Sequence, residues 1–407
     1  MILRARALVT ISKPPIEDGA VVVSGNTISA VGAYAEIRAE HRGEVVDLGE
    51  RVLFPGLINA HCHLDYTMMR RAIQPPRTFT EWIRRINALK RYLGPDDYLR
   101  AITRGFAELQ KWGTTTVANI ESFPELLTVL PAAPIRTWWF LEMIDVRQQV
   151  TSDEIAAGTL AFFEKQPQTL GGFGLSPHAP YTASGPLYEL VAEAAEKLGM
   201  PVMTHVAESR EEWEMFRHAR GELYDFMLRL GRWMHDCHHE HTPLRHLVNY
   251  TVFGSHWLLA HMNELDASDF LLLASLPRGQ RPSIVHCPWS HRYFRHAPFP
   301  LAKLMEIGIN VCLGTDSLAS TDSLSMFDEM RLLSKQNAWL HPADILAMAT
   351  VHGAQALNLN AGKIVPGALA DLIAIRHEGS LRNIHAAIIA NREPVGWMML
   401  DGKILTQ

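Results

Sequence analysis

The chain has 407 residues, with 38 Lys+Arg against 43 Asp+Glu, a net charge of −5 and 47% hydrophobic residues. That balance is ordinary for a globular chain large enough for more than one domain. With no polybasic tract, it argues against nucleic acid or an anionic membrane as a partner. Cys62, Cys237, Cys287 and Cys312 are widely and irregularly spaced, which fits neither a disulfide framework nor a zinc ribbon. Reduced, buried thiols in a cytoplasmic protein are expected.

In chain order, the N-terminus alternates like a strand and lacks the sustained apolar core of a secretory signal. No run approaches the roughly 18 apolar residues of a membrane span. Gly19 to Gly32 holds two β-rich runs around a Gly25-Asn26 turn, a hairpin signal. Strand-like runs return near the C-terminus at Ala370 to Ile375, Ala387 to Ala390 and Gly396 to Leu405, the last around Asp401-Gly402. Residues 1–52 and 361–407 are therefore expected to build one small β-sandwich domain together.

The middle, 53–360, alternates strand-like and amphipathic helix-like stretches, the pattern of an α/β fold with parallel strands. Eight candidate strands centre on Leu57–Ala60, Thr114–Ala118, Thr137–Leu141, Gly172–Leu175, Val202–Thr204, Trp257–Ala260, Ser283–Val285 and Asn310–Leu313. Helical runs such as Leu187–Leu198 and Leu301–Ile307 separate most of them. Eight such units suggest a (β/α)₈ barrel of the TIM type, whose chemistry sits at the C-terminal strand ends.

Polar residues stand at five of those ends. His61 and His63 follow the first strand, two apart, so their side chains share a face while Cys62 points away. Ser176-Pro177-His178 follows the fourth, His205 with Glu208 the fifth, His261 the sixth and Gly314-Thr315-Asp316 the eighth. A lone strand-end histidine usually bonds a backbone carbonyl. Histidines at four strand ends, joined by an aspartate, point to a metal site.

The chain resembles the amidohydrolase superfamily, in its cytosine deaminase-like and triazine hydrolase-like branch. The resemblance rests on Pro55-Gly56-Leu57-Ile58-Asn59-Ala60-His61-Cys62-His63, Ser176-Pro177-His178-Ala179-Pro180-Tyr181, Thr204-His205-Val206-Ala207-Glu208-Ser209, Leu259-Ala260-His261, Leu313-Gly314-Thr315-Asp316-Ser317 and Pro366-Gly367-Ala368-Leu369-Ala370-Asp371. It implies His61, His63, His205 and Asp316 as ligands of one divalent metal ion, zinc or alternatively iron. Binuclear members carry a bridging lysine on the fourth strand, and Gly172-Phe173-Gly174-Leu175 has none. It further implies metal-bound hydroxide attacking an amine-bearing ring carbon. Asp316 and His261 would take the proton and orient the nucleophile, and Glu208 would be the proton shuttle. A helix-cap or surface role is the alternative for Glu208.

His178 is expected to hydrogen-bond the substrate or its leaving group, with a structural role as the rival. Trp82 stands where related nucleoside deaminases carry a substrate-facing tryptophan, with a core or lid role as the rival. The insertion at about 211–256 reads as a lid, and His235 to His241 within it as a solvated loop rather than a second metal cluster. His291 departs from the family's usual Asn after the seventh strand. The resembled groups are aminofutalosine deaminase and methylthioadenosine/S-adenosylhomocysteine deaminase, so the expected reaction is ammonia release from a purine-type nucleoside. A free-base deaminase, a triazine-type chlorohydrolase and a non-catalytic barrel binding protein are the alternatives. The implied setting is a cytoplasmic homodimer or larger homo-oligomer acting on a small-molecule substrate.

Overall fold

The computed structural model describes residues 1–146, 150–166, 169–237 and 240–406. All eight expected central strands form. They are β1 (Leu57–His63), β2 (Thr114–Glu121), β3 (Arg136–Met143), β4 (Gly172–Pro177), β5 (Val202–Val206), β6 (Trp257–His261), β7 (Ser283–His286) and β8 (Asn310–Leu313). They pair in parallel in sequence order, and β9 (Asp316–Ser317), two residues beyond β8, pairs with Cys62 and His63 of β1. The far edge of the sheet thus returns to its first strand, as in a TIM-type barrel.

One apolar cluster draws Ile58, Phe140, Met203, Leu258, Val285 and Cys312 from strands around the sheet, which identifies its inner face. A larger cluster joins the outer strand faces, Cys62 among them, to the surrounding helices. Ile58 and Cys62 thus lie on opposite faces although they are four residues apart, because the register of β1 against β2 shifts between Asn59 and Cys62. Beyond that shift His61 and His63 alternate with Cys62. Close approach at the seam needs Gly314, because a Cβ there would lie 2.8 Å from the Cβ of His61.

Eight strands from both termini form a second sheet. They include Ile2–Leu8, the hairpin Ile16–Ser24 with Thr27–Ala33, and Trp397–Leu400 turning through Asp401 and Gly402 into Lys403–Thr406. The strand Arg51–Pro55 also pairs within this sheet, so the chain crosses to the central one at Gly56, a few residues past the expected boundary. The expected strand at Ala387–Ala390 is instead the end of a helix, Ile384–Ile389. A short apolar run cannot by itself distinguish a strand from a buried helix turn. Here Ile384, Ile388 and Ile389 bury one helical face. The two sheets are tied through Arg136 of β3, whose Nε donates to Asp371 Oδ2 at 3.0 Å with both side chains buried.

Three helices matter to the site besides the strands. α1 (Phe79–Lys90) starts at Thr78, whose hydroxyl accepts from Glu81 N. The insertion carries α2 (Arg210–His218) and α3 (Glu222–Arg229). Glu211 of α2 accepts from the Phe79 and Thr80 amides at 2.5 and 3.1 Å, and Glu222 of α3 accepts from the Thr78 hydroxyl at 2.9 Å. These carboxylates satisfy orphan donors at the start of α1 and fasten the insertion to it. All four cysteines are buried free thiols. No helix among the described residues is long and apolar enough to cross a membrane.

Candidate metal centre and active site

The strand ends bring His61, His63 and His205 together, with one nitrogen from each lying within 4.8 Å of the others. The Nε2 atoms of His63 and His205 are 3.2 Å apart. Asp316 Oδ1 stands 3.8 Å from Nε2 of both His61 and His63. His61 Nε2 is buried with no hydrogen-bond partner among the described residues, an arrangement that is costly unless something else fills the place. Burial holds the His205 imidazole down at about 4 and that of His61 well below its ordinary value, so both stay neutral. Neutral imidazole is the form whose lone pair binds a cation.

Neighbouring groups orient this set. His205 Nδ1 faces the His178 carbonyl at 2.8 Å, so it carries the proton and leaves Nε2 for the centre. Asp316 Oδ2 accepts from Ser290 and Ser320 hydroxyls at 2.6 and 3.0 Å, which turns Oδ1 inward. Burial raises the Asp316 carboxyl to about 6 despite those hydroxyls, which pull it down. Ala207, His261 and Asp316 all take positive φ, at 51°, 76° and 58°. Such strain costs about 1–3 kcal/mol per residue and persists only where the surroundings over-determine it. Three neutral imidazoles and a carboxylate on rigid strand ends suit a divalent metal ion.

Glu208 is buried beside this cluster, with Oε1 3.8 Å from His261 Nε2. It is not the helix cap, because Ser209 takes that role by accepting from Glu212 N. Burial above all, then the nearby Asp316 and Glu212 carboxylates, pushes the Glu208 carboxyl well above the usual range. A carboxyl whose affinity for a proton is raised in this way is suited to acid–base work.

A cavity of about 400 Å³ opens over the cluster, lined by His63, His205, Glu208, His261 and Asp316 as well as Trp82 and His178. The insertion contributes Phe226, Met227 and Leu230 to its wall. Trp82 also packs against Phe79 and Phe294, so it serves core and cavity together. His178 does both as well, since its Nδ1 meets the Thr182 hydroxyl at 2.6 Å. Glu142, Lys90 and Tyr66 were missed in the sequence, although all line the cavity. For Glu142 the signal was present: one charged residue ends the apolar run of β3, as the histidines end theirs.

His291 is buried with Nε2 on the Ala297 carbonyl at 2.7 Å and does not line this cavity. In the His235–His241 run, His238 and His239 lie outside the described residues. Asp236 pairs with Arg232 at 2.6 Å and Cys237 is buried. Among the described residues this run forms no metal cluster.

Fold and site together define a metal hydrolase built on parallel strand ends. The pattern of the amidohydrolase family matches residues 52–405, and the chain belongs to that family. It is 30% identical over 372 residues to the 5-methylthioadenosine/S-adenosylhomocysteine deaminase of Pyrococcus furiosus, covering 88% of this chain and 81% of that protein. An adenosine deaminase from Xanthomonas campestris with bound zinc superposes with a TM-score of 0.81 at 25% identity, covering 100% of this chain and 92% of the other. The aminofutalosine deaminase of Helicobacter pylori, solved with methylthio-coformycin, shares the fold with a TM-score of 0.85 at 22% identity, covering 99% of each chain.

Proposed function

We propose that this protein is a hydrolytic deaminase that releases ammonia from an adenosine-type nucleoside. The observation that carries the reading is the buried Glu208 carboxyl facing the same cavity as the His61, His63, His205 and Asp316 cluster. The deaminase names of the Pyrococcus and Xanthomonas relatives support it. A cavity of about 400 Å³ lies within the usual range for small-molecule sites and has room for more than a free base.

In this reading His61, His63, His205 and Asp316 hold a single divalent cation, which we take to be zinc. The cation would supply Lewis acidity that makes a water nucleophilic at neutral pH. Trp82 offers a ring face against which the purine stacks. Glu208 holds its proton toward the ring nitrogen beside the amine-bearing carbon, donates it as that carbon is attacked, and later helps the amine leave as ammonia. His261 and Asp316 orient the attacking water and accept its proton. His178 hydrogen-bonds the substrate from the cavity wall beside His205.

We further read the parallel sheet as a (β/α)₈ barrel over 53–360 with a lid at 211–256. We read 1–52 and 361–407 as a β-sandwich, and the whole as a cytoplasmic homodimer or larger assembly. The return pairing of β9 on β1 supports the barrel. The deciding experiment is an ammonia-release screen of adenosine, methylthioadenosine, S-adenosylhomocysteine, aminofutalosine and free bases with zinc-loaded protein. Release from one or more nucleosides supports the reading. Release from free bases alone, or from none, overturns it.

A further inference from the structure

The wall of the cavity carries a second carboxylate, Glu142, with no role in the chemistry above. Glu142 is the penultimate residue of β3, and its Oε2 accepts from the Ser122 hydroxyl at 2.9 Å. Its Oε1 has no hydrogen-bond partner among the described residues. The nearest ring nitrogen is His178 Nε2 at 3.9 Å, too far for a direct bond. Both side chains line the cavity.

The partners of His178 decide what its Nε2 offers. The Thr182 hydroxyl donates to the Ala179 carbonyl at 3.2 Å, so His178 Nδ1 donates to Thr182 at 2.6 Å. In the neutral imidazole the other nitrogen then presents its lone pair. The cavity wall thus holds two acceptors 3.9 Å apart, each lacking a donor. A pair of hydroxyls on adjacent carbons supplies two donors at a matching separation. A free purine base stacked on Trp82 carries no such pair.

We propose that Glu142 and His178 form a subsite for the vicinal diol of a ribose, making Glu142 a specificity residue for ribonucleosides. This deepens the nucleoside-deaminase reading and rests on it. A charge-assisted hydrogen bond to this part-buried carboxylate sets the expected discrimination at about 10- to 100-fold.

The test compares zinc-loaded wild type with Glu142→Ala and the shape-conserving Glu142→Gln. Ammonia release is measured on adenosine, 2′-deoxyadenosine and 3′-deoxyadenosine, and calorimetry measures binding of inosine and 2′-deoxyinosine. Wild type is expected to favour the ribonucleoside by about 10- to 100-fold in kcat/KM and in affinity. The ratio should fall toward one in Glu142→Ala, with Glu142→Gln between. An unchanged ratio in both variants overturns the subsite even where ammonia is released. Inosine discrimination that Glu142→Ala abolishes, without ammonia release from any nucleoside, upholds the subsite and removes the deaminase reading. Failure of the wild type to distinguish inosine from 2′-deoxyinosine overturns the subsite as well.

Discussion

The metal-cluster side of the cavity and the wall supplied by the insertion are built by different means. On the metal-cluster side, His205 is held by a backbone carbonyl, Asp316 by two serine hydroxyls, and His261 and Asp316 sit in strained backbone. In the insertion, Phe226, Met227 and Leu230 meet the cavity as apolar side chains. The insertion is fastened at its edge, where Glu211 and Glu222 bond the start of α1. Polar geometry is directional and tolerates little displacement, whereas apolar packing is non-directional and accommodates change. Reaction type should therefore depend on the metal-cluster side and substrate breadth on the insertion wall.

Four experiments press on that contrast. Glu208→Gln should retain its metal yet lose roughly 10² to 10⁴ in kcat, the usual contribution of a general acid–base. Ammonia kinetics beside elemental analysis measures it, and near-normal turnover would remove Glu208 from its role. Ser290→Ala frees one side of Asp316 and should weaken metal affinity by roughly 10- to 100-fold. Competition with a chelator reads that loss, and an unchanged affinity would mean that the hydroxyl does not orient the carboxylate. Leu230→Ala should cost only about 10-fold in kcat/KM, mostly through KM, as expected when a few methylenes leave an apolar wall. A fall confined to kcat would place the insertion wall in the chemistry and break the contrast. The smallest expected departure concerns stoichiometry: the loaded protein should carry about one metal ion per chain, since three imidazoles and one carboxylate make a single four-ligand set. Two tightly held ions would refute the single centre.

Much of this was legible in residue order because it follows from local periodicity. Each parallel strand is a short apolar run, and each strand-end polar residue breaks that run at its C-terminal limit. His61, His205, His261 and Asp316 could be found this way without a structure. The run at Ala387–Ala390 could not be read correctly, because four apolar residues suit either a strand or a buried helix turn. Glu142 was overlooked for a related reason. A glutamate near a strand end looks like a solvent-facing residue until the neighbouring strands show that the end opens into a cavity.

The sequence alone thus determined the parallel strands, their polar ends and the residue types available for chemistry, because hydrophobic periodicity and residue chemistry are local properties. Only the tertiary structure decided which of those ends converge. It brought β9 back onto β1, set Asp316 Oδ1 3.8 Å from two imidazoles, and placed Glu142 Oε1 3.9 Å from His178 Nε2 in the wall of the same cavity as Glu208. Those distances span residues more than a hundred positions apart in places, and no short-range pattern in the chain encodes them. They arise when strands from distant parts of the chain bury their faces together.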